Sequence, residues 1–501
     1  MSAWRSLLIV LSFALAAPAL ADRDSVTIAY PVDVQSWDPL AVTFPAGQSI
    51  FKSVFDSPLH YSAELKLSPR LVKEWRWADK EARRLEVTLR DDVLFHDGSK
   101  LTTEDLRFSL FERPQADRKL AVAGMIPDIQ AIEIQSPTRA VIVYGKPSPA
   151  APIYLAFLSG YIIPKAYFQK VGEEGFRAKP VGAGPYRLVE YQRGSRIVLE
   201  AWDKYWGGPA KIRHVTFEIV PDPSARVAAV ESGRADVATQ LPLRETTRLS
   251  TRTGLTGKAY PYSEVYMMQI PSYVPVFQDD NLRRAMHLAI DKAALSKAFY
   301  SGVAVPLSVI APPNTPGYVP GFSMPFDRAG AIAALKQSGY GPDRPVHIKL
   351  FTTNGTFPSD YDMARAIAQM WKQVGIEAEI EELTVAKYLE LNHSTKLTGA
   401  VLYSWANATG DPENFTGRIL DPRLRFSAWK SEALSGVIEG LIRETDPEKR
   451  MAGYRRLNQE AAEKTWTLPL LQAVSTIVYR SDLNLAVHGG GYILPYEYSW
   501  K

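Results

Sequence analysis

The stretch PVGAGPYRLVEYQRGSRIVLEAWDKYWGGPAKIRHVTFEIVPDPSARVAAVESGRADV, residues 180–237, decides the fold class of this chain. Apolar and polar residues alternate over Tyr186–Tyr191 and again over Arg196–Ala201, which is the pattern of half-buried strands. Gly194-Ser195 lies between the two runs, at the position of a turn. This part of the sequence therefore predicts a β-hairpin.

A third strand and a helix follow the hairpin. Val215, Phe217 and Ile219 alternate with polar residues, and Ser224 then precedes the helical run ARVAAVES, which ends at Gly233. Strands and helices that alternate along the chain indicate a mixed α/β protein.

The same pattern extends in both directions. Leu85, Val87 and Leu89 predict a strand, and Thr102 with Asp105 predicts a capping box at the start of the next helix. Four more helices are predicted: one from Asp279 or Asp280 to Gly302, one from Asp327 to Gly339, one from Asp360 to Gly375, and one that starts at Asp446-Pro447.

Length and composition set the limits of the prediction. At 501 residues the chain is long enough for two or three lobes of roughly 150 residues each. Lys and Arg number 58 against 54 Asp and Glu and are scattered, so no nucleic-acid-binding surface is predicted. Cysteine is absent, which excludes disulfides, thiolate metal ligands, cysteine nucleophiles and the acylated cysteine of a lipoprotein.

The first 21 residues have the features of a cleaved secretion signal. Arg5 supplies the positive charge, Leu7–Ala17 is apolar, and Ala19-Leu20-Ala21 matches the A-x-A cleavage pattern. The apolar run is shorter than the about 20 residues needed to span a bilayer, which argues against a membrane anchor. We expect a soluble periplasmic protein that is not a lipoprotein.

Five segments in order resemble the peptide/nickel-type solute-binding proteins of ABC importers, solute-binding family 5. Besides 180–237, they are VTIAYPVDVQSWDP (26–39), FDSPLHYSAELKLSPRLVKEWRW (55–77), LEVTLRDDVLFHDGSKLTTEDLRFSL (85–110) and FQDDNLRRAMHLAIDKAAL (277–295).

This resemblance implies an α/β, two-lobed periplasmic-binding-protein clamshell of type II, in the large form with an extra subdomain. The implied boundaries are 1–21 for the signal peptide, 22–52 with 176–270 and 476–501 for lobe I, 53–175 for the extra subdomain, and 271–475 for lobe II. The chain would cross between lobes near residues 270 and 475.

The resemblance also implies a function. The chain would capture peptides or peptide-like solutes between its lobes, with the closed form favoured by the ligand, and deliver them to an ABC permease and its ATPase subunits. We expect a monomer with no catalytic activity, no cofactor, no protein metal site and no nucleic-acid partner. The ligand class stays open between peptides and another polar solute, such as a modified peptide, an opine, a sugar or a metal chelate.

The segment VLYSWANATGDPENF (401–415) carries most of the predicted site. By resemblance this strand and loop lie in the cleft. The ligand-binding residues expected from the resemblance and from the residue types are Trp37, Tyr266, Met268, Asn354, Tyr403, Trp405, Asn407, Ala408, Thr409 and Asp411.

Two positions depart from the family pattern. Dipeptide and oligopeptide binders carry an aspartate that pairs with the peptide ammonium three residues beyond the tryptophan, and this chain has Ala408 there, three residues after Trp405. Dipeptide binders also carry an arginine that pairs with the peptide carboxylate, and this chain has Asn354 near that position. An ammonium buried without a counter-charge costs about 3–5 kcal/mol. We therefore expect neutral hydrogen bonds and stacking to replace ionic contacts, with Asp411 either a substitute charge or, more simply, a cap before Pro412.

Other motifs are interpreted as structural. In LRDDVLFHDG (89–98) the Asp97-Gly98 pair predicts a turn, GAGP (182–185) predicts a tight turn into the hairpin, and His287 is interpreted as a helix histidine with satisfied hydrogen bonds. Two other classes stay open: a secreted hydrolase with paired carboxylates, and a chaperone-like or sensory binder.

Overall fold

The computed structural model describes residues 24–42, 47–62, 66–124, 128–157, 160–313, 315–354, 356–406 and 409–501. The predicted signal peptide, residues 1–21, lies outside this part of the chain. Among the described residues, no helix combines the length and the apolar content needed to cross a membrane.

The strands are β1 (Ser25–Tyr30), β2 (Leu59–Tyr61), β3 (Leu67–Pro69), β4 (Val72–Trp77), β5 (Arg84–Leu89), β6 (Ile129–Ser136), β7 (Arg139–Tyr144), β8 (Tyr186–Gln192), β9 (Arg196–Ala201), β10 (His214–Ile219), β11 (Val237–Thr239), β12 (Leu255–Gln269), β13 (Val346–Thr352), β14 (Ile376–Glu382), β15 (Ala400–Ala406), β16 (Thr467–Arg480), β17 (Leu483–Asn484) and β18 (Ser499–Trp500).

The α-helices are α1 (Gln48–Val54), α2 (Thr103–Arg107), α3 (Arg113–Ala116), α4 (Ala151–Tyr154), α5 (Lys165–Ala178), α6 (Pro223–Glu231), α7 (Leu243–Ser250), α8 (Asp280–Leu288), α9 (Lys292–Tyr300), α10 (Arg328–Gln337), α11 (Asp360–Lys372), α12 (Val385–His393), α13 (Thr416–Leu420), α14 (Ala433–Arg443) and α15 (Pro447–Glu463).

Two long antiparallel strands join the two halves of the molecule. The main sheet has ten strands in the order β14-β13-β15-β12-β16-β11-β1-β10-β9-β8. β12 and β16 are 15 and 14 residues long and lie side by side at its centre. The register of β12 against β16 shifts between Pro261 and Val265, so the two strands are irregular where they pass from one half to the other.

Each half has its own apolar core. One core runs from β1 and α1 through the four-stranded sheet β4-β5-β7-β6 to the hairpin β8–β9, and the other surrounds α8–α11 with β13 and β14. The predicted crossings near residues 270 and 475 lie beside the end of β12 and inside β16. The exact domain boundaries stay a prediction.

Most local predictions from the sequence agree with the structure. β8 pairs antiparallel with β9, and Thr102 with Asp105 forms the predicted capping box at α2. Asp446 accepts hydrogen bonds from the first turn of α15, as an N-cap residue does.

The predicted continuous helix from 279 or 280 to 302 is wrong. The structure has two helices, α8 and α9, because the Asp291 side chain accepts a hydrogen bond from the Ala294 backbone and caps a new helix. Two caps are also displaced. Asp222 rather than Ser224 caps α6, and Ser359 rather than Asp360 occupies the N-cap position of α11.

The glycines of GAGP are required by a close backbone contact. A Cβ atom at Gly182 would lie 2.1 Å from the Val54 backbone oxygen, and Gly184 donates a backbone hydrogen bond to the same oxygen at 3.0 Å. Any larger residue at Gly182 would push away the end of α1. The motif therefore fixes the position of this helix.

Candidate functional site

The two halves meet at a hydrogen bond between a tyrosine and a carboxylate. Tyr154, at the end of α4, donates its hydroxyl to Glu413 Oε1 at 2.8 Å. The two residues are 259 positions apart in the chain, and Glu413 lies within the predicted cleft segment, residues 401–415. This contact places the loop after β15 against the surface that contains α4.

A buried arginine holds that loop together. Arg450 in α15 makes a bidentate ion pair with Asp411, at 2.7 and 2.8 Å, and donates to Glu413 Oε2 at 3.0 Å. The Arg450 side chain is 5% exposed, and those of Asp411 and Glu413 are 7% and 15% exposed. Burial, and then the Asp411 charge, raise the pKa of Glu413 above its ordinary value. Arg450 thus holds the loop in place by pairing with the carboxylates of both Asp411 and Glu413.

Asp411 performs the structural role that was one of its two predicted alternatives. Its Oδ1 accepts a hydrogen bond from the Glu413 backbone at 2.8 Å, and its own backbone donates to Thr409 Oγ1. Arg450 already contacts both carboxylate oxygens of Asp411, and ligand contact by Asp411 stays a prediction. Ligand contact by Thr409, which is buried beside it, stays a prediction.

The predicted aromatic residues divide between two faces of the sheet. Met267 pairs with Tyr403, and Val265 pairs with Trp405, so these four side chains lie on one face of β12 and β15. Tyr266 and Met268 point to the opposite face, where both are buried in the second core.

Tyr266 stacks on the Phe357 ring with centroids 4.5 Å apart, and Met268 has no exposed surface. Because adjacent strand positions alternate in direction, Tyr266 and Met268 do not share a face with Tyr403 and Trp405, and whether they contact a ligand stays a prediction.

Tyr403 and Trp405 are half-buried at the end of β15. The Tyr403 ring lies 4.5 Å from that of Tyr388, and burial raises the pKa of its hydroxyl to about 12. Trp405 Nε1 donates to the Asn414 backbone oxygen at 3.1 Å, and its ring meets Phe426 edge to face. These two aromatic residues lie next to the loop that Arg450 organises. Asn407 and Ala408 fall outside the described residues.

The remaining predicted residues lie away from this loop. Trp37 packs edge-on against Phe51 and Tyr191 in the first core, 3% exposed. Asn354 is exposed after β13 and donates to Glu382 at 3.2 Å. Whether either contacts a ligand stays a prediction.

Sequence reasoning missed a second group of polar residues around α1. Lys52 in α1, Tyr61 in β2 and Tyr492 near the C-terminus come from distant parts of the sequence. Tyr492 packs in one apolar cluster with Tyr154, which donates to Glu413, and burial, followed by the Asp411 carboxylate, raises the pKa of Tyr61. A lysine inside the apolar run SIFKSVF was the one signal that could have identified this group.

The described residues show no group of three His, Asp or Glu side chains that could hold a metal ion. His96 Nε2 donates to the Gly184 carbonyl oxygen, 2.9 Å away, and His287 Nε2 contacts Lys292 Nζ. His287 Nδ1 has no hydrogen-bond partner among the described residues. The prediction that the hydrogen bonds of His287 are satisfied is therefore wrong.

Comparison with known proteins gives one consistent result. The profile of the bacterial extracellular solute-binding proteins, family 5 Middle, matches residues 66–424. The chain is similar to the glutathione-binding protein GsiB of Salmonella paratyphi A, with 24% identity over 518 residues that cover 98% of this chain and 96% of the relative.

Solved structures share the fold. The periplasmic binding protein DppA of Helicobacter pylori, in complex with the peptide STSA, superposes with a TM-score of 0.81 at 21% identity, covering 95% of this chain and 98% of that one. NikA of Staphylococcus aureus, in complex with Ni(L-His)2, gives a TM-score of 0.79 at 20% identity, covering 95% and 100%. The profile match spans more than half of the sequence, and we conclude that this chain belongs to the bacterial extracellular solute-binding proteins of family 5.

Proposed function

We propose that this protein is the substrate-binding subunit of an ABC importer and that it captures peptides or peptide-like solutes between its two halves. The observation that carries the proposal is the pair of irregular central strands, which leaves two separately packed cores free to close on a solute. The Tyr154–Glu413 hydrogen bond would then be one of the contacts made on closure.

The proposal includes location and partners. The protein would be exported through residues 1–21, would work in the periplasm as a monomer that is not lipid-anchored, and would deliver its ligand to a membrane permease. It would catalyse no reaction itself, and ATP hydrolysis would belong to partner subunits.

The proposed ligand lacks a free ammonium at the family's usual position. Ala408 and Asn354 replace the expected charges, Asn354 binds Glu382, and Asp411 is neutralised by Arg450. A peptide with a modified or blocked amino end fits this pattern. A non-peptide solute, such as an opine, a sugar or a metal chelate, is the alternative.

Ligand binding is expected to raise the melting temperature. A ligand present at 100 times its dissociation constant stabilises the folded state by about 2.7 kcal/mol. Differential scanning fluorimetry with free and N-acetylated di- and tripeptides, glutathione, opines and nickel–histidine checks this, with the buffer components as controls. No shift from any of these compounds, or turnover of an ester or glycoside by the purified protein, would contradict the proposal.

Replacing Ala408 with aspartate is expected to improve the affinity for free-amine peptides by at least about tenfold, because the new carboxylate would pair with the ammonium. Isothermal titration of Met-Leu and N-acetyl-Met-Leu against the variant and the parent protein measures the change. The acetylated peptide is the control and should gain nothing. Equal affinities for the free peptide before and after the substitution, in a folded variant, would remove residue 408 from the site.

A further inference from the structure

Lys52 is a half-buried cation that contacts an aromatic ring but pairs with no anion among the described residues. It lies in α1, where every other residue is buried, and its Nζ is 5.1 Å from the centre of the Tyr492 ring. It makes no hydrogen bond or ion pair with any residue that the structure describes. Burial, and then the nearby charge of Arg70, lower its pKa to about 8.

The nearest acid is already occupied. Asp56 accepts from Arg70 Nε at 2.7 Å through one oxygen, and from Trp206 Nε1 at 2.9 Å and Tyr205 Oη at 3.2 Å through the other. Asp56 therefore neutralises Arg70 rather than Lys52. A buried ammonium in this situation is stabilised by any anion that can reach it.

Two further donors near Lys52 also lack acceptors in the described part of the chain. Gln48 lies one turn earlier on the same side of α1, and its Nε2 is buried without a partner while its Oε1 accepts from Tyr161. The Tyr61 hydroxyl is likewise buried and unpartnered, with the residue 7% exposed. His488 Nε2 lies 3.2 Å from the Tyr61 backbone oxygen, and its ring centroid is 5.4 Å from that of Tyr492, so Tyr61 and Lys52 both lie near the Tyr492 ring.

This group of donors lies beside the contact between the two halves of the molecule. Tyr492 packs in one apolar cluster with Tyr154, whose hydroxyl donates to Glu413. The donors around Tyr492 thus lie on the half that contains α1, next to the loop that Arg450 organises.

We propose that Lys52, with Gln48 Nε2 and the Tyr61 hydroxyl, binds a carboxylate group of the transported solute. One positive charge and three donors match the two oxygens and single negative charge of a carboxylate. The inference rests on the proposed function and narrows it, because it assigns an anionic group to the ligand and places that group on lobe I.

The test compares carboxylate and amide forms of the same compounds on two proteins. The probes are N-acetyl-Met-Leu and an N-acetylated tripeptide of uncharged residues, each with its C-terminal carboxylate and as the C-terminal amide, titrated by calorimetry. Wild-type protein is expected to bind the carboxylate form at least about tenfold more tightly than the amide. In Lys52→Met this ratio is expected to fall to about twofold or less, because the amide loses little when the cation is removed.

Two more variants serve as a control and a second test. Lys297→Met removes an exposed lysine from α9 and should keep the wild-type ratio. Tyr61→Phe removes a hydroxyl that has no protein partner, so it should leave the melting temperature unchanged while lowering the affinity for the carboxylate forms severalfold. A purely structural role of Tyr61 would give the opposite result.

The outcomes separate this inference from the proposed function. If wild-type protein binds the probes but Lys52→Met and Tyr61→Phe keep the full preference for the carboxylate, the carboxylate site is wrong and the solute-binding function stands. If wild-type protein binds none of the probes in either form, the peptide class itself is overturned and this site with it.

Discussion

Replacing Arg450 with methionine is expected to lower the free energy of unfolding by about 3–5 kcal/mol. Arg450 is the one cation that contacts both Asp411 and Glu413 among the described residues, and all three side chains are largely buried. Without it, two carboxylates with little access to water repel each other. Urea denaturation at pH 7, followed by tryptophan fluorescence, measures the loss.

The effect of pH distinguishes this mechanism from a simple loss of packing. In Arg450→Met the pKa of Glu413, which burial already raises, should rise further because the charge of Arg450 no longer lowers it, so the folded state takes up more protons than the unfolded state. Stability then falls as pH rises and is partly recovered as pH is lowered through the raised pKa of Glu413. The variant should therefore be closer to wild type at pH 5 than at pH 7.

Arg456 provides the matched control, because it lies exposed on the same helix. Arg456→Met should change the free energy of unfolding by no more than about 0.5 kcal/mol. If Arg450→Met were as stable as Arg456→Met at pH 7, the buried ion pair would not be what holds the loop after β15.

Local features of the fold could be predicted because they depend on neighbouring residues. The hairpin needs only two alternating runs and a turn, and the capping box needs only Thr102 and Asp105. The break between α8 and α9 was missed because Ala289 and Ile290 continue the apolar period of the helix. Only the Asp291 side chain, which competes for the backbone of Ala294, marks the break.

The candidate site was less predictable because it depends on contacts across the chain. The pairing of β12 with β15 decides which aromatic residues share a face, and no pattern inside either strand reveals that register. The role of Asp411 depends on Arg450, 39 positions away, and the position of Lys52 beside Tyr492 depends on the closure of the chain at its C-terminus. The resemblance predicted a site at this loop but not the pairing of its two acids with Arg450.

Replacing Lys292 with methionine is expected to remove about 4 kcal/mol of pH-dependent stability between pH 7 and pH 10. Lys292 is 7% exposed, and burial lowers its pKa from 10.5 to about 7. Its Nζ donates to the Leu307 backbone oxygen at 2.6 Å and contacts His287 Nε2 at 2.9 Å, and no carboxylate among the described residues pairs with it. His287, whose pKa burial also lowers, is neutral over this whole range.

The direction of the effect follows from proton binding. Between pH 7 and pH 10.5 the unfolded chain holds a proton on Lys292 that the folded protein does not, so wild-type stability rises with pH by about 1.4 kcal/mol per unit. Methionine carries no proton in either state. The free energy of unfolding of the variant minus that of wild type must therefore fall by about 1.4 kcal/mol per pH unit over the same range. Urea denaturation at several pH values gives this difference directly, with the exposed Lys297→Met as the control. A difference that is constant from pH 7 to pH 10 would mean that the buried lysine stays charged, and a counter-ion would then have to be present beside α9.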